Sequence, residues 1–167
     1  MKRISVMLVG LFVAISSFSQ DNTNLRISRK KVDVAAFDRI RVDASVNVVL
    51  YEEKAASGIV LEGQGSTADD IQVKVVKGEL IISSRADKDY KKTTVVNIPV
   101  SNIKKLEVNR DAMVVTNNVL QSNIIDLAVN SECWMNLKLT GKLNVLKGEA
   151  WGTITYKNPE REVRLGE

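Results

Sequence analysis

From Phe37 onward, apolar and polar residues alternate with a period of two almost without a break. In "IRV", Ile40 and Val42 fall on one face, and in "VNVVLY" Val46, Val48 and Leu50 do the same. That spacing is the mark of a strand with one buried face. "GIVLEG" continues the pattern, "GQGSTADD" reads as a loop, and "IQVKVVKGELIISS" reads as two strands joined at Lys77 and Gly78. "TTVVNIPV" is a further strand, whose Pro99 lacks a backbone donor and so belongs at an edge, a bulge or a strand end. No 11-residue window carries helical periodicity; residues 66–71 allow at most one turn. The expected fold class is all-β.

The second half contains an irregular internal repeat. "LEVNRDAM" starts at Leu106, "LAVNSECW" at Leu127 and "NVLKGEAW" at Asn144. In columns, Val108, Val129 and Leu146 align, as do Asp111, Glu132 and Glu149. So do Ala112, Cys133 and Ala150, and Met113, Trp134 and Trp151. A strand-and-turn repeat of about 20 residues fits a solenoid whose irregular rungs bury their apolar faces only by stacking. Hairpins of a sandwich fit the same strands. The absence of Asn-Gly or Asp-Gly turns between them favours the solenoid.

The first residues follow a different logic. Lys2 and Arg3 precede an apolar run over residues 4–15, and Ser17 and Ser19 stand three and one residues before Gln20. This is the three-part pattern of a secretory signal peptide spanning residues 1–19. The run, about 12 residues, is shorter than the roughly 20 a membrane span needs, so no transmembrane segment is expected in the mature chain. Residues 20–36 are polar and read as a flexible lead-in, with a short strand around residues 25–27. Residues 37–167 form one domain.

Removing the leader leaves 22 basic against 20 acidic residues, a net charge of +2. The basic pairs are dispersed among acids, which argues against nucleic acid as a partner. The chain has no histidine and a single cysteine, Cys133. That removes Ser-His-Asp and Cys-His catalysis, histidine-based zinc sites and an internal disulfide.

Cys133 sits in a column otherwise held by alanine, beside Glu132, which disfavours a thiolate; it reads as a small apolar filler. One acid per rung is a poor calcium cage, and a turn edge is a poor glycosidase cleft, so Asp111, Glu132 and Glu149 read as solvated turn residues. "GQGS" lacks the lysine and the helix of a phosphate loop. The column of Met113, Trp134 and Trp151 follows the small-residue column by one position. If the small residues face inward, these three face outward as an apolar stripe. A bulge after the turn would instead rotate them into the core. No cofactor and no metal site is expected.

Several stretches together ("FDRIRVDASVNVVLYEE", "VKGELIIS" and "VNIPVSNIKKLEV", then recurring four-residue turns) resemble the "putative autotransporter adhesin head domain", or head GIN domain. This family occurs in exported Bacteroidetes-type proteins. The resemblance covers residues 37–167 and implies a right-handed β-helix-like solenoid in an exported protein of the periplasm or outer cell surface. The family's turns are Ser-Gly-Ala-Ser-like, whereas here they are "NRDA", "NSEC" and "KGEA", so that Gly148 alone keeps the glycine. A left-handed conformation at Arg110 and Ser131 would be strained.

The function that follows is a non-catalytic binding or adhesion module of the cell envelope, not an enzyme. Its partner would be an envelope or surface protein or a glycan, with Met113, Trp134 and Trp151 as binding residues. A self-associating structural envelope protein, a homo-oligomer built through the same stripe or through open solenoid ends, is the alternative. A carbohydrate-active enzyme is the third reading.

Overall fold

The computed structural model describes residues 26–54, 58–147, 151–156 and 162–165; Lys147 and the last two segments are described by backbone alone. The leader therefore lies outside the described residues. The elements, in chain order, are β1 (Ile27–Val32), β2 (Arg39–Asp43), β3 (Asn47–Glu52), β4 (Ile59–Gln64), α1 (Thr67–Asp70), β5 (Ile71–Val76), β6 (Glu79–Ser84), β7 (Thr94–Val100), β8 (Lys105–Val108), β9 (Ala112–Thr116), β10 (Ile124–Val129), β11 (Cys133–Leu139), β12 (Lys142–Lys147), β13 (Trp151–Tyr156) and β14 (Glu162–Leu165). The fold is all-β, as the period-two alternation dictates, and α1 is the single turn expected near residue 66.

The strands form two mixed sheets. Sheet A runs β1-β4-β7-β3-β9-β11-β13-β14 and sheet B runs β12-β10-β8-β2-β6-β5. Five pairs of successive strands divide between them: β2 with β3, β6 with β7, β8 with β9, β10 with β11, and β12 with β13. The first of each pair lies in sheet B and the second in sheet A, and the order is the same in both. Neighbouring pairs therefore stack level upon level through parallel ladders. The order of levels is not the order of the chain. The β6–β7 level lies against one side of the β2–β3 level, and β8–β9 returns to the other side.

The core lies between the sheets. Ile40, Val42, Val46, Val48 and Leu50 are all buried, on the faces that the alternation assigned to them. Level by level, Leu127 stands opposite Leu106 and Val129 opposite Val108, and these four are buried to within 2%. Burying each such side chain contributes about 1.5–3 kcal/mol, which drives the stacking.

Antiparallel strands complete the stack. β5 and β6 are the expected hairpin, with Val76 opposite Glu79. Lys77 (φ 50°) and Gly78 (φ 75°) both occupy the left-handed region, as the tight two-residue turn requires. Pro99 lies two residues past the last β7 position paired with β4, at a strand end. Within the lead-in, β1 is longer and later than the short strand expected, and it pairs with β4 over six residues. Its Arg29, Lys30 and Lys31 are exposed, and such charges keep an edge strand from pairing further.

Two local expectations are corrected. Leu146 does not continue the column of Val108 and Val129. The β10–β12 ladder places Val145 opposite Leu127 and Lys147 opposite Ala128, so Leu146 falls in a bulge and is 55% exposed. Arg110 and Ser131 are not strained either: among the described residues only Lys77 and Asn102 have a positive φ outside glycine. The turns are held by hydrogen bonds between levels instead, as described below.

Candidate functional site

The repeat column of Met113, Trp134 and Trp151 is a line of adjacent residues across sheet A. Trp134 of β11 stands opposite Met113 of β9 on one side and Trp151 of β13 on the other. Adjacent strands lie about 4.8 Å apart, so the three backbones are evenly spaced along the line. Ala112 and Cys133 precede this line and are buried; Val114 and Met135 follow it and are buried. The alternation runs through without a bulge, so Met113 and Trp134 point outward and are 37% and 45% exposed. The Trp151 side chain lies outside the described residues.

The line does not stop at Met113. Asn47 of β3 is opposite Met113, and Val95 of β7 is opposite Asn47. Two residues further along each strand, a second line runs Asn97, Val49, Val115, Asn136. By alternation these residues also point away from the core, and all are partly accessible. None of the eight described residues in the two lines carries a charge. Charge appears at the rim, where Arg29 pairs with Glu62 at 3.3 Å and where Lys138 of β11 is exposed two residues beyond Asn136. The sequence pointed to one column; the structure extends it to a face of valine, asparagine, methionine and tryptophan. Period two could not reveal this in "VNVVLY", where apolar residues occupy both faces.

At the β7 end the face meets a recess of about 180 Å³ lined by Asn47, Glu62, Gln64, Lys91, Thr93 and Val95, among others. The Asn47 side-chain amide donates to the Lys91 carbonyl, and its buried Oδ1 has no partner.

The acid column sits at the turn entering the same strands. Lys91, from the loop before β7, bonds Asp111 through its Nζ and approaches Asp89 at 3.8 Å. The bond to Asp111 raises the Lys91 pKa above its ordinary value, and the charges of Asp111, Asp89 and Glu132 add to this against partial desolvation. The first two acids of the column thus face a lysine that sequence reasoning did not bring to them. Glu149 lies outside the described residues. Among the described residues no cluster of three cysteine or acidic side chains could hold a metal ion.

Cys133 is buried to 2% and unpaired. Burial pushes its thiol up to about 12, with the Asp111 charge adding to the effect. A thiol so held is not a nucleophile near neutral pH.

The repeat also hid a ladder. Asn130 donates to Asn109 Oδ1 at 2.7 Å, and Asn109 donates to Asp43 Oδ1 at 2.8 Å. The backbone follows, with Asn109 N–H to Val42 and Asn130 N–H to Val108, both at 2.8 Å. These bonds fix the corner between the sheets without glycine. The signal was the asparagine shared by "EVNRDA" and "AVNSEC", replaced by Lys147 in the third copy.

Comparison with known proteins places this architecture. A putative adhesin from Bacteroides fragilis has the same fold over 78% of this chain and 70% of its own, with a TM-score of 0.54 and 19% identity. A protein described as a putative lipid binding protein, from Parabacteroides distasonis, matches over 78% of this chain with a TM-score of 0.52 and 12% identity; the match spans 63% of its length. A putative adhesin from the same organism matches at 0.50 and 16% identity, over 79% of this chain and 65% of its own. No curated protein matches the chain by sequence. The sequence profile described as "Putative auto-transporter adhesin, head GIN domain" covers residues 36–153, and the chain belongs to that family.

Proposed function

We propose that this chain is an exported, non-catalytic binding module of the cell envelope, which engages a surface protein or glycan through the outer face of sheet A. One observation carries the reading. The strand register sets Met113, Trp134 and Trp151 side by side, and Met113 and Trp134 are exposed beside uncharged neighbours. A contiguous accessible apolar patch marks an interaction surface far more often than a scatter of single residues does. Tryptophan offers area and a hydrogen-bond donor together. The stripe adjoins valines and amides; amides can donate and accept at once, which suits hydroxyl-rich or backbone-like partners. The adhesin descriptions of the family and of two structural neighbours agree with this role.

The reading includes a signal peptide over residues 1–19 and a single domain over residues 37–167. Its parallel levels would be the irregular rungs of a right-handed β-helix-like solenoid, working in the periplasm or at the outer surface. The test is binding of the mature chain to arrays of bacterial and host glycans and to isolated envelope proteins, beside the variant Met113→Ser/Trp134→Ser. The expected result is saturable binding to one class that the variant loses at least tenfold, from a folded monomer in light scattering. Equal binding by both proteins overturns the role of the stripe. Concentration-dependent assembly that the variant abolishes would mean that the stripe joins copies of the chain instead.

A further inference from the structure

The two ends of the strand stack are finished differently. Sheet A extends one strand beyond sheet B at each end, with β1 past the β4–β5 level and β14 past the β12–β13 level. At the β1 end, α1 packs against β4, β5 and β1. Ala68 and Ile71 are buried there to within 2%. At the β14 end, no described strand or helix lies on the outer side of β12. Val145 stands in the inward column beside Leu127, yet it is 45% exposed where Leu127 is fully buried. Among the described strands β12 pairs on one side only, so its other edge has no strand partner among them.

We propose that this slot, open beside β12 and overhung by β14, accepts one extended peptide segment of a partner protein as an added strand of sheet B. The overhang decides the kind of occupant. Antiparallel pairing of β12 with β12 of a second copy would keep sheet A of both copies on the same side. The second copy's β13 would then need the space that β14 occupies. A lone strand with no second layer behind it meets no such obstacle. Its backbone would complete the edge hydrogen bonds, and its inward side chains would cover Leu143 and Val145, as in other cases of strand addition. Charge selects further. Lys142 is exposed, points outward opposite Ile124 and forms no ion pair among the described residues, so it favours an acidic residue in the partner strand. The slot is at the end of the stack, apart from the tryptophan face, and stands or falls independently of it.

The test uses the mature chain and two fluorescein-labelled peptides of alternating valine and threonine, one with glutamate and one with lysine at its ends. Anisotropy should show saturable binding of the glutamate peptide, about two- to fivefold tighter than the lysine peptide, the margin expected from an exposed charge pair. Hydrogen exchange should slow at amides of residues 142–147 when it binds. Lys142→Glu should reverse the preference between the two peptides while the fold, by circular dichroism, is unchanged. Val145→Asp should weaken both. No binding by the folded chain, binding without protection of residues 142–147, or a preference indifferent to Lys142→Glu would each overturn the proposal. So would protection of that strand by increasing concentration of the chain alone, which would make the occupant a second copy.

Discussion

The outer faces of the two sheets share a core and a register, yet they differ in chemistry. On the central strands of sheet B, β2 and β8, the outward positions are charged and answer one another. Arg41 lies 3.0 Å from Asp43 and 3.4 Å from Glu79, Lys105 bonds Glu107 at 2.6 Å, and Lys104 at the strand entry bonds Asp38 at 2.7 Å. Asn109 ties Glu107 and Asp43 into one network. On sheet A the corresponding positions hold Val95, Asn47, Met113 and Trp134, with no ion pair among the four. The inward columns of both sheets are predominantly apolar, with Thr94 and Thr116 as buried polar members in sheet A, so folding does not require this difference. The centre of sheet B consumes its outward side chains in contacts with each other, and its exposed apolar residues, Ile124 and Val76, stand apart on different strands. Sheet A leaves its own available, which is the physical basis for assigning recognition to that face.

The comparison can be broken most forcefully from the inside. Met135→Ala and Leu127→Ala remove fully buried side chains of sheet A and sheet B respectively. Each should cost about 2–5 kcal/mol in chemical denaturation. The two sheets are expected to respond alike; a much smaller loss for Met135→Ala would mean that sheet A is loosely packed and that its outer face is not a rigid platform. Gly63 should be comparably intolerant. A Cβ there would lie 2.6 Å from the Ala68 backbone nitrogen, so Gly63→Ala should displace α1 and lower the melting midpoint markedly.

The corner ladder is next in size. Asn109→Ala removes donors to Asp43 and Glu107 and the acceptor of Asn130, and should cost about 1–2 kcal/mol. The ion pairs of sheet B should show a pH signature. The hydrogen bond from Lys105, helped by Asn109 and opposed by burial, holds the Glu107 carboxyl below its ordinary 4.5. Its folded-state value being depressed, the stabilisation is complete above the unfolded value and fades as pH falls through the folded one. Glu107→Gln should therefore flatten the acid limb of the stability curve. Lys91, on the sheet A side, has the opposite sense. Its raised value gives stabilisation that is complete below 10.5 and is lost as pH rises through the folded value.

The smallest expected effect on stability is the most informative. Trp134→Ser and Val115→Ser should change stability by less than about 1 kcal/mol, since both side chains are already partly in water. A larger loss would recast the stripe as structural.

Much of this was legible in the sequence. Period two identified the strands, and the repeat aligned Ala112 with Cys133 and Met113 with Trp134, pairs that are neighbours in the sheet. A fixed column offset survives wherever levels stack in parallel. It failed at Leu146, because a bulge adds a residue that pattern matching cannot see. The placement of β6–β7 on the far side of β2–β3 was not legible, since local alternation says nothing about which ladder a strand joins. Lys91 escaped for the same reason: it reaches Asp111 from a distant loop. The breadth of the sheet A face was hidden by valine runs, in which inward and outward positions look alike.

The most direct measurement compares the two faces by binding. The mature chain, Met113→Ser/Trp134→Ser on sheet A, and Arg41→Ser/Lys105→Ser on sheet B would be titrated against intact bacterial envelopes and against whichever glycan or envelope protein binds the mature chain on the arrays. The sheet A variant should lose at least tenfold in affinity at unchanged melting temperature, and the sheet B variant should stay within about twofold. Loss of affinity in the sheet B variant with full binding by the sheet A variant would contradict the account.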